Sequence, residues 1–131
     1  NTVHLPVNVP GALLHVGDGH AAQGDGEVSG VATEIPTRGV MTVDLIKGQA
    51  IGTPRVISDD HLMAIGSARP MEDAARIAFY ELILWLESDY GLERLVAYQL
   101  CAQVAKVRLA NMVDILYSVV AKFPNAYLPA R

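Results

Sequence analysis

The stretch MEDAARIAFYELILWLESDYG, residues 71–91, decides the fold class because it has the pattern of a long amphipathic helix. Pro70 suits the first turn of a helix, and the acidic residues Glu72 and Asp73 are favoured at the positive end of the helix dipole. Gly91 is a natural stop, since glycine readily adopts the left-handed conformation that ends many helices. We therefore predict one long helix between these signals.

Apolar residues recur at helical spacing in this stretch and predict one broad buried face. The members of that face are Ala75, Phe79, Leu82, Ile83 and Leu86. Three further apolar residues lie outside it, namely Ile77, Leu84 and Trp85. We therefore expect neighbouring elements to cover the helix on more than one side.

The sequence on either side of this helix predicts a single α+β domain over residues 1–131, with a β-rich first half and a two-helix C-terminal half. A second helix is predicted from about Leu92 to about Lys106. Its expected core consists of Leu95, Val96, Leu100 and Val104. Short apolar or alternating runs predict strands in five places: residues 12–18, 27–34 and 39–48, two strands within 55–67, and a last one at 115–124.

Composition limits the classes of function. Apolar types make up 51% of the 131 residues and charged types 18%, so we expect a well-filled core or large buried interfaces. The net charge of −4 without a basic cluster argues against a nucleic-acid partner, and no apolar run is long enough for a membrane span. One cysteine and no signal peptide favour a reducing, cytoplasmic setting. The missing initiator methionine suggests a piece of a longer protein.

The segment GDGHAAQGDGE, residues 17–27, concentrates ionisable residues in an otherwise apolar chain. Asp18 and His20 flank one glycine, and Asp25 and Glu27 flank another. In extended backbone, residues two apart point to the same side, so each pair can aim both groups at one point. Carboxylate and imidazole groups suit Zn²⁺ and other divalent metals; calcium is a second candidate, although the EF-hand spacing is absent. The alternative is a polar turn that only connects two strands.

Other residues with reactive side chains have structural interpretations. Cys101 lies among apolar helical residues and is predicted to be a buried core thiol. His15 is expected to face inward with a hydrogen bond, and His61 to belong to a polar turn rather than the site. Glu34 is seven residues from Glu27, a spacing that would place it opposite Glu27 in an extended strand, and we expect it to face solvent.

The segment VPGALLHVGDGHAAQGDGEVSGVATE, residues 9–34, resembles the signature segment of the acetamidase/formamidase family. Residues 90–114 and 119–124 also resemble the C-terminal part of that family. The resemblance implies a β-rich body with an α/β C-terminal part, assembly into oligomers, a metal at the site, and hydrolysis of formamide, acetamide or similar short amides to the acid and ammonia. Asp18, His20, Asp25 and Glu27 fall on the polar positions of the signature.

We assign roles to these four residues as a hypothesis of metal-assisted hydrolysis. Asp18 and His20 help to hold the metal, Glu27 takes a proton from the attacking water, and Asp25 orients that water or ligates the metal.

Family chains are much longer, and this chain resembles only their second part. We therefore expect an N-terminal part of the same enzyme, or a separate chain, as a partner. The alternative is a non-catalytic structural or oligomerisation fragment.

Overall fold

The computed structural model describes residues 1–130 and shows a five-stranded antiparallel sheet packed against two helices, which confirms the α+β class. The strands are β1 (Thr2–His4), β2 (Arg55–Ile57), β3 (His61–Ala68), β4 (Lys106–Asn111) and β5 (Tyr117–Pro124), and the helices are α1 (Met71–Tyr90) and α2 (Arg94–Val104). The order in the sheet is β1-β2-β3-β5-β4, so β1 and β4 form opposite edges. Two strands of the sheet, β4 and β5, therefore come from the second half of the chain.

Helix α1 has the predicted boundaries and packs across β3 and β5. It ends where Gly91 turns left-handed at φ 69°. The Gly91 N–H donates to the Glu87 carbonyl at 3.2 Å, and the Leu92 N–H donates to the Leu86 carbonyl at 3.3 Å. Its buried residues are Ala74, Ala78, Leu82, Ile83, Trp85 and Leu86. The predicted face was therefore right at positions 82, 83 and 86. Ala74 and Ala78 are fully buried, and Trp85 is buried as well. Of the other predicted residues, Ala75 and Phe79 are partly buried, and Phe79 packs against the core.

The core lies between α1 and one face of the sheet. Alternate residues of β3 and β5 point toward the helix, and Leu62 pairs with Phe123 while Ala64 pairs with Ala121. Leu62 and Phe123 are among the largest fully buried side chains. Strands were predicted from short apolar runs within residues 55–67 and at 115–124, and both β3 and β5 are confirmed.

Three predicted strands are wrong, because residues 12–18, 27–34 and 39–48 contain no strand in the structure. Between β1 and β2 the described backbone is irregular, apart from a 3-10 turn at Asp25–Glu27 and an isolated bridge between His20 and Glu34. Many apolar side chains of this segment are exposed; Val40, for example, is 90% exposed. An alternating sequence becomes a strand only when a neighbouring strand takes its hydrogen bonds, and residues 1–130 provide none there.

Helix α2 buries a different face from the predicted one. Leu95 and Val96 are exposed, whereas Ala97 and Cys101 are buried and Leu100 and Val104 pack partly against the core. The helix contacts the rest of the described chain along one narrow side, so its first apolar residues face outward. Cys101 is the predicted core thiol, and burial raises its pKa to about 11.

No helix within residues 1–130 combines the length and apolar character that a membrane crossing requires.

Candidate metal and catalytic site

The second acidic pair of the glycine-rich segment sits on a tight turn that packs against strand β4. Gly26 is buried at φ 78°, and its carbonyl accepts a hydrogen bond of 3.0 Å from the Met112 N–H. A Cβ at this position would lie 3.0 Å from Leu109 and from Met112, in addition to the left-handed strain. The turn Asp25–Glu27 is therefore fixed to the edge of the sheet by a residue that has to be glycine.

An ion pair fastens the same turn to β4. Both oxygens of Asp25 accept hydrogen bonds from Arg108, at 2.7 Å from Nε and 2.6 Å from the terminal nitrogen. Hydrogen bonding to this guanidinium lowers the pKa of Asp25. The catalytic role of Asp25 stays a prediction, and in this structure its two oxygens are both engaged with Arg108.

His20 lies at the centre of a cluster of carboxylates. Its Nε2 lies 2.8 Å from Oε1 of Glu34, 3.4 Å from Oε1 of Glu27 and 3.6 Å from Oδ1 of Asp18. The His20 and Glu27 side chains are 8% and 12% exposed, whereas those of Asp18 and Glu34 are 80% and 54% exposed. The cluster thus has a buried inner pair, His20 and Glu27, and two carboxylates on the solvent side.

Backbone pairing between two short segments brings this cluster together. His20 and Glu34 form an antiparallel bridge, and Ala21 donates to the carbonyl of Thr33 at 2.8 Å. Asp18 and Glu27 both have positive φ, at 57° and 48°. Non-glycine residues seldom adopt this conformation, and such residues concentrate at functional sites. The loop therefore brings two of the other predicted site residues, Asp18 and Glu27, within 3.6 Å and 3.4 Å of His20.

The carboxylates set the charge state of His20. Burial alone would lower its pKa, but the hydrogen bond to Glu34 and the negative charges of Glu34, Asp18 and Glu27 outweigh that effect. The pKa of His20 is therefore raised. A field that stabilises a proton on this imidazole also favours a bound cation.

The donor set fits a divalent metal. One ligand atom each from Asp18, His20 and Glu34 lie within 4.8 Å of one another, and imidazole with carboxylates is a usual set for Zn²⁺. Glu34 was expected only to face solvent. It is half exposed, as expected, yet its carboxylate contacts His20. The antiparallel bridge that brings Glu34 to His20 joins residues 14 apart, and the sequence carried no signal for it.

The other two histidines that were considered lie outside the cluster. His15 is exposed, so its predicted inward orientation is wrong. His61 begins β3, where its N–H donates to Ser58 Oγ at 3.0 Å and its carbonyl accepts from the same hydroxyl at 3.1 Å. His61 is thus part of a polar turn, as predicted.

Comparison with known families shows to which family the chain belongs. Residues 1–130 match the sequence model of the Acetamidase/Formamidase family. The chain belongs to the acetamidase/formamidase family. A comparison with curated proteins gives no match.

Solved structures of this family share the fold of the chain. An acetamidase from Yersinia enterocolitica is 48% identical with a TM-score of 0.94, over 98% of this chain and 39% of that one. An acetamidase from Bacillus halodurans is 27% identical with a TM-score of 0.77, over 95% of this chain and 42% of that one. Because residues 5–54 are a large share of the chain, a TM-score of 0.94 requires the irregular segment to follow the same path in the Yersinia protein. The chain spans 39% of the length of that acetamidase.

Proposed function

We propose that this chain carries part of the active site of an amidase that hydrolyses short linear amides, such as formamide and acetamide, to a carboxylate and ammonia. The observation that supports the proposal most strongly is the convergence of three carboxylates on His20. These residues lie in a chain that belongs to the acetamidase/formamidase family. The two relatives compared above are described as acetamidases.

Asp18, His20 and Glu34 are the residues that we propose to hold a divalent cation, with zinc as the first candidate and calcium as the second. Three carboxylates next to one imidazole leave an excess of negative charge even when His20 is protonated, and a divalent cation would neutralise it. When bound, such a cation would polarise a carbonyl oxygen or lower the pKa of a water molecule.

Glu27 is the proposed general base. Its carboxylate is largely buried beside His20 and sits on a turn that Gly26 fixes to β4, so its position is held before substrate arrives. In the proposed reaction Glu27 takes a proton from the attacking water and returns it to the leaving nitrogen, which departs as ammonia. Asp25 would contribute by holding this turn through Arg108.

Replacement of Glu27 by Gln tests this role, because the amide keeps the shape of the side chain but cannot accept the proton. Ammonia release from formamide and acetamide should fall by roughly 100-fold or more. Glu72→Gln, at an exposed position in the first turn of α1, is the matched control and should retain full activity. Turnover within a few-fold of the parent protein in Glu27→Gln would remove Glu27 from the mechanism.

A second candidate function is a structural or oligomerisation role without catalysis. It is favoured by the exposed apolar side chains of the irregular segment, which include Leu13, Val16, Val40 and Val43. Such residues suit contact with the rest of a family-length protein or with further copies of the chain. Intact mass of every polypeptide in the purified protein, followed by an ammonia assay, separates the two. A homo-oligomer of this chain without activity or metal would favour the structural role. The oligomeric state and the cytoplasmic location stay predictions.

A further inference from the structure

Residues 40–46 of the irregular segment form an exposed apolar run. Their sequence, VMTVDLI, alternates so that Met41, Val43 and Leu45 would share one face of an extended chain. Those three side chains are 51%, 67% and 58% exposed, and Val40, on the other face, is 90% exposed. The run therefore leaves both of its faces uncovered in the part of the chain that the structure describes.

The backbone of this run is unpaired as well. Among the described residues, no N–H or carbonyl from residue 40 to residue 46 bonds to another backbone group, so no strand forms here. One N–H, that of Leu45, donates to the side chain of Asp44 at 2.7 Å. The run contains no helix, turn or bend, and a turn at residues 47–48 follows it. A row of unpaired backbone groups beside alternating apolar side chains is the kind of surface that adds a strand from a partner.

The path of the run is shared with a longer protein. The acetamidase from Yersinia enterocolitica superimposes on 98% of this chain with a TM-score of 0.94. The run thus follows the same path where the matching sequence is part of a larger molecule. Because this chain matches only 39% of that acetamidase, more than half of the longer protein is available to cover the run.

A second copy of this chain suits the same surface less well. Exposed apolar side chains continue along the segment outside the run, for example at Leu13, Val16 and Ile35. A two-fold contact centred on residues 40–46 would use the same patch of each copy. A partner that is longer than this chain can cover the run and the neighbouring apolar residues together, so we favour it as the occupant.

We propose that residues 40–46 accept a β-strand from the part of a family-length acetamidase/formamidase that this chain does not match. The added strand pairs with the free backbone groups of the run, and an apolar surface of the same partner covers Met41, Val43 and Leu45. Main-chain hydrogen bonds supply the affinity of such a contact, and the fit of alternate side chains supplies its specificity. The proposal does not depend on the amidase function, since no residue of the run belongs to the acidic cluster.

Hydrogen exchange measured by mass spectrometry tests the pairing. One sample is this chain alone, and the other is a chimera in which residues 1–130 replace the matching part of the Yersinia acetamidase. Peptides that cover residues 40–46 should exchange at close to the rate of an unstructured peptide in this chain alone, and roughly 100-fold more slowly in the chimera. Strand β3, which is paired on both sides, should be protected in both samples.

Two substitutions to lysine at equally exposed positions test the apolar face of the run. Val43 and Leu95 are each 67% exposed, so neither Val43→Lys nor Leu95→Lys should unfold this chain alone, as followed by circular dichroism. In the chimera, Val43→Lys should reduce the protection of residues 40–46 by roughly tenfold or more, because the charge would be buried against the partner. Leu95→Lys, on α2, is the matched control and should leave that protection unchanged.

Equal exchange of residues 40–46 in the folded chimera and in this chain alone would overturn the proposal, as would protection that Val43→Lys does not reduce. Protection in this chain alone that increases with protein concentration would also overturn it, since a second copy would then cover the run. If the chimera is insoluble, the same exchange is measured on this chain co-expressed with the unmatched part of the Yersinia acetamidase. Failure of both to give a soluble complex would count against the proposal, because a surface that fits that part should bind it.

Discussion

Replacement of Gly66 by Ala tests the close packing of α1 on the sheet. Gly66 lies in β3 on the face covered by the helix, and a Cβ there would be 2.1 Å from the Ala74 carbonyl oxygen and 2.6 Å from the Ala78 nitrogen. Both are backbone atoms in the interior of a helix, so no side chain can rotate away to make room. Ordinary contact distances would be restored only if the helix moved away from β3 by on the order of 1 Å.

That displacement sets the size of the expected effect. Leu82, Leu86 and Phe123 are fully buried between α1 and the sheet and would lose part of their packing. Overpacking a core costs about 1–3 kcal/mol. The cost here belongs at the upper end of that range, because the added Cβ meets backbone atoms of α1 that cannot move independently. The lower backbone entropy of alanine in the unfolded chain offsets only about 0.4–1 kcal/mol. With a net loss of about 2–2.5 kcal/mol, the midpoint of thermal unfolding should fall by roughly 8 °C for a chain of this length.

Thermal and urea unfolding followed by circular dichroism measure this effect. Gly24→Ala is the matched control, because a Cβ at Gly24 meets nothing within 4 Å and the backbone there, at φ −80°, suits alanine. We expect Gly24→Ala to unfold within about 0.5 kcal/mol of the parent protein, or to be slightly more stable. If Gly66→Ala were as stable as Gly24→Ala, the helix could not lie as close to β3 as the structure shows.

Two further predictions concern single contacts. Cys101 is buried and its pKa is raised to about 11, so its thiol should not react with Ellman's reagent at pH 8 in the folded protein. The same thiol should react fully in denaturant. Fast reaction in the folded protein would contradict its burial. Arg108→Gln should raise the pKa of Asp25 toward the ordinary value for an aspartate, because the guanidinium that lowers it is gone. Because the pair is exposed, its loss should change the free energy of unfolding little. Carboxyl NMR titration measures the pKa of Asp25, and urea unfolding measures the change in stability, with Arg76→Gln as the control. An unchanged Asp25 pKa would show that the pair does not persist in solution.

The parts of the fold that local sequence patterns specify were predictable. Helix α1 carries its own start and stop signals, and Gly91 ends it as expected. Strand β3 was predicted as a short strand, and its residues 61–66 alternate in burial because one face packs against α1. The irregular segment was not predictable, since its path depends on contacts between residues far apart, such as the hydrogen bond from Met112 to Gly26. Its exposed valines and leucines occur in short runs of the kind that predict strands, although no strand forms there.

Some residues of the candidate site were predictable from the sequence, and others were not. The tandem Asp-Gly-His and Asp-Gly-Glu pairs indicated the cluster, and the structure brings Asp18, His20 and Glu27 together. Glu34 was missed as a member because the antiparallel bridge that sets it against His20 leaves no local mark in the sequence. Arg108 lies 83 residues from Asp25, and only the packing of the turn on β4 makes the two meet.

The central claim, that the cluster around His20 binds a divalent metal, is tested most directly by the metal content of the protein. The purified protein and two variants, His20→Ala and His15→Ala, are treated with a chelator, dialysed against Zn²⁺ or Ca²⁺, and analysed by elemental mass spectrometry. His15 is an exposed histidine of the same segment and serves as the control. We expect close to one equivalent of metal in the parent protein and in His15→Ala, and a large loss in His20→Ala. Equal metal content in all three proteins, or none in the parent protein, would contradict the account.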